Sequence, residues 1–186
     1  MGRKLIQKVY KIQNQLYRRD VDFGMGSMTM LVNDKEGWLS RQGKFEAMPQ
    51  EMLPGQQLEL DIAGPLIDYT TKGNSATLEG KETINGKEAH KIKLTLKSGK
   101  VITYFIDATS FYLVRQSSFE TGMMGRGRQQ GSTPAEVVID YSNFQKIPEG
   151  YVFPFTVSIV GMGAAMNFEK IEVNKEIDPK LAKPIN

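Results

Sequence analysis

The chain has 186 residues, with 24 Lys and Arg against 21 Asp and Glu, a net charge of +3. Apolar residues make up 40% and charged residues 24%, an ordinary globular composition, and the length is that of one domain with a real core. There is no cysteine, which removes disulfides, zinc–thiolate sites and thiol nucleophiles. The mild charge gives no support to nucleic-acid binding, and no run approaches the roughly 18 apolar residues of a membrane-spanning helix.

From the start, the chain reads as strands. Residues 3–11 have a strand-like pattern directly after Met1-Gly2-Arg3, with no signal peptide. In 15–23, Tyr17, Arg19, Val21 and Phe23 share one face, and Arg18, Asp20 and Asp22 the other. In 27–33, Met28, Met30 and Val32 share a face. Gly24 and Gly26 mark a turn between these two strands; no helix follows, so a phosphate-binding loop is excluded by context. Another strand is expected over 36–41.

Residues 49–66 break the alternation. Pro49 and Pro54 are each placed to open a short helix, and Gly64-Pro65 to stop it. Leu58, Ile62 and Leu66, four apart, predict one apolar stripe. Residues 75–120 then predict a four-strand meander, with Asn85-Gly86 as the clearest hairpin turn, Ser98-Gly99 as the next and Asp107 to Ser110 as the third. Within it, His90, Ile92, Leu94 and Leu96 oppose Lys91, Lys93, Thr95 and Lys97. Residues 121–134, with Gly122, Gly125, Gly127, Gly131, Arg126 and Arg128, read as a mobile hairpin loop rather than an RNA motif, since no aromatic interleaves the arginines. Strands are expected at 134–145, 151–160 and 164–174, the last with a bulge between Phe168 and Ile171.

About ten antiparallel strands imply a mostly β fold: a strongly curved antiparallel sheet, an unclosed β-barrel, with short helices covering its concave face. Lys91, Lys93 and Lys97 on the outward face exclude a transmembrane barrel. The apolar face is therefore the inner one, and a cavity there is a ligand site.

The order of motifs is familiar. Val9-Tyr10-Lys11 and Tyr17-Arg18-Arg19 precede Asn33-Asp34-Lys35-Glu36-Gly37-Trp38. Gly64-Pro65-Leu66-Ile67-Asp68-Tyr69 follows, then Leu78 to Glu82, Gly86 to Ile92, Tyr104-Phe105-Ile106-Asp107, Asp140-Tyr141, Phe153-Pro154, Glu172-Val173-Asn174, Ile177-Asp178 and Lys183-Pro184. This resembles the outer-membrane lipoprotein carriers of the LolA/LolB-like superfamily, in the branch of lipoprotein-sorting proteins, over nearly the whole chain. The resemblance implies a single domain over 1–186 in the periplasm, whose cavity holds the acyl chains of a lipoprotein or another lipid without covalent chemistry. It also implies that a leader and a first helix are missing ahead of the first strand. Membrane-associated donor and acceptor proteins are the implied partners.

The residues expected on the lipid-binding surface are Tyr17, Arg19, Val21, Phe23, Met28, Met30, Leu94, Leu96, Phe105 and Leu113, with Val101 beside them. Met28, Met30 and Phe23 are expected on one concave surface with Leu94 and Phe105. Arg19 and Arg115, the latter grouped with Phe111, Leu113 and Phe119, are both candidates for a polar anchor at a lipid head group. Trp38 reads as a rim or packing residue. No cofactor and no metal site are expected. The single histidine, His90, and scattered carboxylates beside Lys or Arg give no catalytic constellation, so an enzyme is not expected. The alternative is a non-enzymatic envelope sensor or binding module of the same fold, contacting a lipoprotein or protein partner through 121–134.

Overall fold

A computed structural model describes residues 6–120, 134–163 and 165–185. They fall into two compact units, one of Met1–Ile67 with Lys175–Asn186 and the other of Asp68–Asn174. Each holds one antiparallel sheet, and neither sheet closes into a barrel. The mostly β, unclosed architecture expected from the alternation is present, with its strands divided between two sheets rather than running through one.

In the first unit, β1 (Ile6–Ile12), β2 (Leu16–Asp22), β3 (Ser27–Val32), β4 (Gly37–Arg41) and β5 (Lys44–Ala47) pair in chain order. Gly24 takes a positive φ in the β2–β3 turn, where the Phe23 N–H donates to the Gly26 carbonyl at 2.9 Å. The Asn33 side chain accepts from the N–H groups of Lys35 and Glu36 and so closes the β3–β4 turn. β5 was not expected. Its signal is Gln42-Gly43, both at positive φ, a two-residue turn that returns a four-residue strand along β4.

The helical segment is shorter than the prolines suggest. Residues 49–52 form a turn, then α1 (Leu53–Gln57) carries Pro54 in its first turn, where no N–H is needed, and a 3-10 turn Leu58–Leu60 ends it. The stripe predicted on Leu58, Ile62 and Leu66 does not form, because the chain leaves the helix at Leu60. Ile62 is instead 53% exposed. Leu53 and Leu60 are the buried pair, packed with Tyr17, Val32 and Met48 and flanked by Met30, Leu39 and Met52. On the other side of this sheet, a 3-10 turn Pro179–Ala182 is capped by Asp178 and lies along β2. There Arg18 donates to the Leu181 carbonyl at 3.1 Å and to the Asp20 carboxylate at 3.0 Å. Trp38 is half-buried between Leu31 and Ala47, a packing position.

In the second unit, β6 (Ser75–Ile84), β7 (Lys87–Thr95), β8 (Val101–Asp107), β9 (Leu113–Glu120), β10 (Ala135–Lys146), β11 (Val152–Ile159) and β12 (Ala165–Asn167) again pair in chain order. The expected meander is there, with Asn85-Gly86 as a two-residue turn, both residues at positive φ. β9 starts at Leu113 rather than Phe111. Phe111 sits at φ 59, outside the strand region, and donates its N–H to the Asp107 carbonyl. The last strand was expected over 164–174 with a bulge after Phe168; the ladder runs only to Asn167, with one further bond from the Phe168 N–H to the Phe155 carbonyl. Ile171 and Val173 are half-buried between exposed neighbours, so the alternation of burial persists past the end of the ladder. The glycine-rich stretch 121–133 lies outside the described residues.

Candidate functional site

Cross-strand partners in an antiparallel sheet project to the same face, so the register fixes which side chains meet. In the first unit Tyr17 pairs with Val32, Arg19 with Met30 and Val21 with Met28. Met30 pairs on with Leu39, and Met28 with Arg41. Five of the expected residues, Tyr17, Arg19, Val21, Met28 and Met30, therefore lie together on one side of this sheet, here the Tyr17 face. Leu39 and Arg41 join them. Both were missed at sequence level, although Gly37, Leu39 and Arg41 alternate as the pairing requires.

One end of the Tyr17 face is closed by α1 and the 3-10 turn after it, packed on Tyr17 and Val32. The other end opens at an accessible depression of about 520 Å³ lined by Phe23, Gly26, Ser27, Met28, Arg41 and Gln42. Phe23 lies just past β2 and is 41% exposed. The face is thus sealed at its Tyr17 end and rimmed by an aromatic ring and a guanidinium at the other.

Arg19 stands midway along this face. Its Nε is buried and has no hydrogen-bond acceptor among the described residues. Burial pushes the Tyr17 hydroxyl above the ordinary phenol value. The negative charge of Glu59 adds to that, and Arg19 pulls it back by its charge and a hydrogen bond. Lys11 lies over the Tyr17 ring, 5.2 Å from its centre, and is held by Glu59 at 2.7 Å.

The other candidate arginine is differently placed. Arg115 pairs across strands with Asp140 and binds it through both nitrogens of one guanidinium edge, Nη2 donating to Oδ2 at 2.8 Å. The expected grouping of Arg115 with Leu113 does not occur. β9 bulges at Val114, so Leu113 pairs with Ile106 and Arg115 with Phe105, on opposite faces. Arg115 belongs to an ion pair and not to the apolar surface.

In the second unit Leu94 pairs with Ile102 and Ile92 with Tyr104, and Leu113 joins Ile106 on that same side, the Leu94 face. Leu94 is fully buried at 0% exposure, and Leu96, just past the end of β7, is buried as well. Phe105 and Val101 do not lie on the Leu94 face. Phe105 pairs with Lys91, whose ammonium lies 5.9 Å from the ring centre, and packs with Ile84, Ala89 and Val114. Val101 pairs with Thr95 on that polar side. The expectation of one surface shared by Leu94 and Phe105 is overturned by the register.

With this geometry in place, the chain can be set beside known proteins. No family model matches the sequence, and no curated protein matches it significantly. Solved structures that resemble it include a LolA superfamily protein from Nitrosomonas europaea, at a TM-score of 0.54 and 11% identity, covering 89% of this chain and 78% of that one. The chain has the LolA-like fold. Two further structures align more loosely. A DUF1329 family protein from Desulfovibrio piger covers 83% of this chain and 68% of its own at 10% identity and a TM-score of 0.48. A domain named as an outer membrane lipoprotein-sorting protein, from Vibrio parahaemolyticus, covers 91% and 87% at 11% identity and 0.44.

Among the described residues no three His, Asp or Glu side chains gather as a metal site, and no helix is long and apolar enough to cross a membrane. His90 stacks on Phe111 at 6.5 Å between ring centres. Asp107 accepts from the N–H and hydroxyl of Ser110 and from the N–H of Thr109, bonds that hold its carboxyl below the usual range and fix the β8–β9 turn. The Tyr17 face offers apolar contact and a guanidinium.

Proposed function

We propose that this protein is a non-enzymatic carrier that shelters the acyl chain of a lipoprotein, or of another lipid, on the Tyr17 face. The observation that carries this reading is the convergence of Val21, Met28, Met30 and Leu39 around Arg19, leading to the open depression at Phe23. Unbranched methionines suit a surface that accepts chains of varied length and unsaturation. The LolA-like fold supports the carrier reading, and with it a place in the periplasm of a bacterial envelope and transfer between membrane-associated donor and acceptor proteins. A chain of about fourteen carbons gains roughly 0.8 kcal/mol for each buried CH₂. Lost ligand freedom offsets most of that, which leaves binding near the micromolar range.

The test is titration with a fluorescent fatty acid and with a lipidated peptide. Met28→Glu places a carboxylate on the apolar face beside the depression and is expected to weaken binding at least about tenfold. Lys93→Glu, on the polar side of the other sheet, is expected to change it less than twofold. Thermal melts establish that both variants fold. If the wild type binds neither ligand, a sensor or docking module of the same fold becomes the better account.

A further inference from the structure

The five-stranded sheet pairs in chain order, so its β2–β3 and β4–β5 turns lie side by side at one end. The Gln42 N–H donates to the Ser27 carbonyl at 3.1 Å and ties one turn to the other. The start of β1 reaches the same end, where Ile6 pairs with Asp22. This end is apolar at its tip. Met25, between Gly24 and Gly26, is 78% exposed, more than any other large apolar side chain among the described residues. Phe23 and Ile6 beside it are 41% and 53% exposed. The turn that presents Met25 is pinned from within. The Asp22 carboxylate accepts from the Gly24 N–H at 2.7 Å, and the Phe23 N–H closes onto the Gly26 carbonyl.

The charge at this end is unbalanced. Arg41 and Lys44 flank the two-residue turn Gln42-Gly43 and pair directly across the strands, where like charges repel. Arg115, by contrast, faces Asp140 across its strands. Arg41 and Lys44 are exposed, and neither has an ion-pair partner among the described residues. The acid of the β2–β3 turn, Asp22, is engaged with Gly24, and Glu46 stands two residues past Lys44, away from the tip.

An exposed apolar tip flanked by unpaired cations calls for an anionic partner that accepts protruding side chains. A protein interface of ordinary size covers about 800 Å² on each partner with close shape fit, whereas this tip offers Ile6, Phe23 and Met25 as separate projections. A bilayer needs no shape fit: apolar side chains enter the acyl boundary while cations stay among anionic head groups. The depression lined by Phe23 and Arg41, into which the Tyr17 face opens, lies at this same end.

We propose that the Phe23–Gly26 turn, with Ile6, Arg41 and Lys44, docks on the surface of a bilayer that contains anionic lipid. This goes beyond the carrier reading and does not need it, since docking concerns the tip and carriage concerns the Tyr17 face. Docking in this orientation sets the depression against the membrane.

The experiment is co-sedimentation with vesicles of phosphatidylcholine, either alone or with about 30% phosphatidylglycerol, at about 0.1 M salt. The wild type is expected to bind the anionic vesicles at least about tenfold more tightly than the neutral ones, and to lose most of that preference at about 0.5 M salt. Arg41→Gln with Lys44→Gln is expected to bring the ratio below about two. Lys93→Gln with Lys97→Gln removes the same charge from exposed positions of the other unit and is expected to keep the ratio within about twofold of wild type. Met25→Glu is expected to weaken binding to anionic vesicles at least about fivefold without lowering the melting temperature. Met25→Trp is expected to shift its emission to the blue on anionic vesicles. Equal loss in the two double variants reduces the effect to net charge and overturns the proposal. So does a wild type with no preference for anionic vesicles, or a Met25→Glu variant that binds as the wild type does. Titration of the same protein with a fluorescent fatty acid separates the two readings. Fatty-acid binding without vesicle binding overturns docking alone, and vesicle binding without fatty-acid binding overturns carriage alone.

Discussion

Phe105 is a core residue on the polar side of the seven-stranded sheet, 6% exposed beneath Lys91 and against Ile84 and Ala89. Phe105→Ala is therefore expected to destabilise the protein by about 3–5 kcal/mol in denaturant unfolding, whereas Val101→Ala, at a more open position of the same strand, is expected to stay within about 1 kcal/mol. Asp140 sets a pH dependence. Hydrogen bonds from Arg115 hold its carboxyl below the ordinary carboxylate range despite partial burial. The folded protein thus binds this proton less readily than the unfolded chain. The stabilisation is fully present above about pH 4, the unfolded carboxylate value, and is lost as pH falls through the lower folded value. In Asp140→Asn, unfolding stability near neutral pH is expected to drop by about 1–3 kcal/mol, and the gap to wild type to close below about pH 4. A gap that does not narrow as the pH falls below about 4 would show that the ion pair is not its source.

Turns decide which of these residues meet. The placement of Tyr17, Arg19 and Val21 against Met28 and Met30 was legible in the sequence, because both strands alternate cleanly and Gly24 marks the turn between them. The placement of Phe105 was not. β8 is apolar on both phases, Ile102, Tyr104 and Ile106 on one and Val101 and Phe105 on the other, so the pattern alone cannot choose. The choice is made by the loop. Read as a two-residue turn, Ser98-Gly99 would set Leu94 opposite Thr103, on the side of Phe105. The Leu96 N–H instead donates to the Lys100 carbonyl at 2.8 Å, which makes the loop three residues long and sets Leu94 opposite Ile102. One residue of register turns every side chain over. The bulge at Val114 inverts Arg115 against Leu113 by the same arithmetic. Gly99, at φ 86 and with open space around its α-carbon, holds that loop. Gly99→Ala is expected to cost about 1–2 kcal/mol from backbone strain alone. Gly55→Ala inside α1, also in open space but with a helical backbone, is expected to stabilise by about 0.4–1 kcal/mol. Thermal melts of the two variants, shifting in opposite directions, check both.

For the whole molecule, the mostly β character and the unclosed antiparallel strands were legible from alternation and turn chemistry. The division into two sheets was not, because no pairing pattern crosses residues 48–74 and period-two alternation says nothing about which sheet a strand joins. The proposed function rests on a surface rather than on a constellation of reactive groups, and single apolar residues look alike whether they line a ligand or fill a dry core. The ten methionines give a way to tell the two apart. With ¹³C-labelled methionine methyl groups, titration of hexadecanoate is expected to move the Met28 and Met30 resonances progressively. Met48, packed in the core with Leu53 and Leu60, is expected to move less. Saturable shifts confined to Met28 and Met30 place the acyl chain on the Tyr17 face. Binding that leaves both of them unmoved, or no shift at any methionine, contradicts the account.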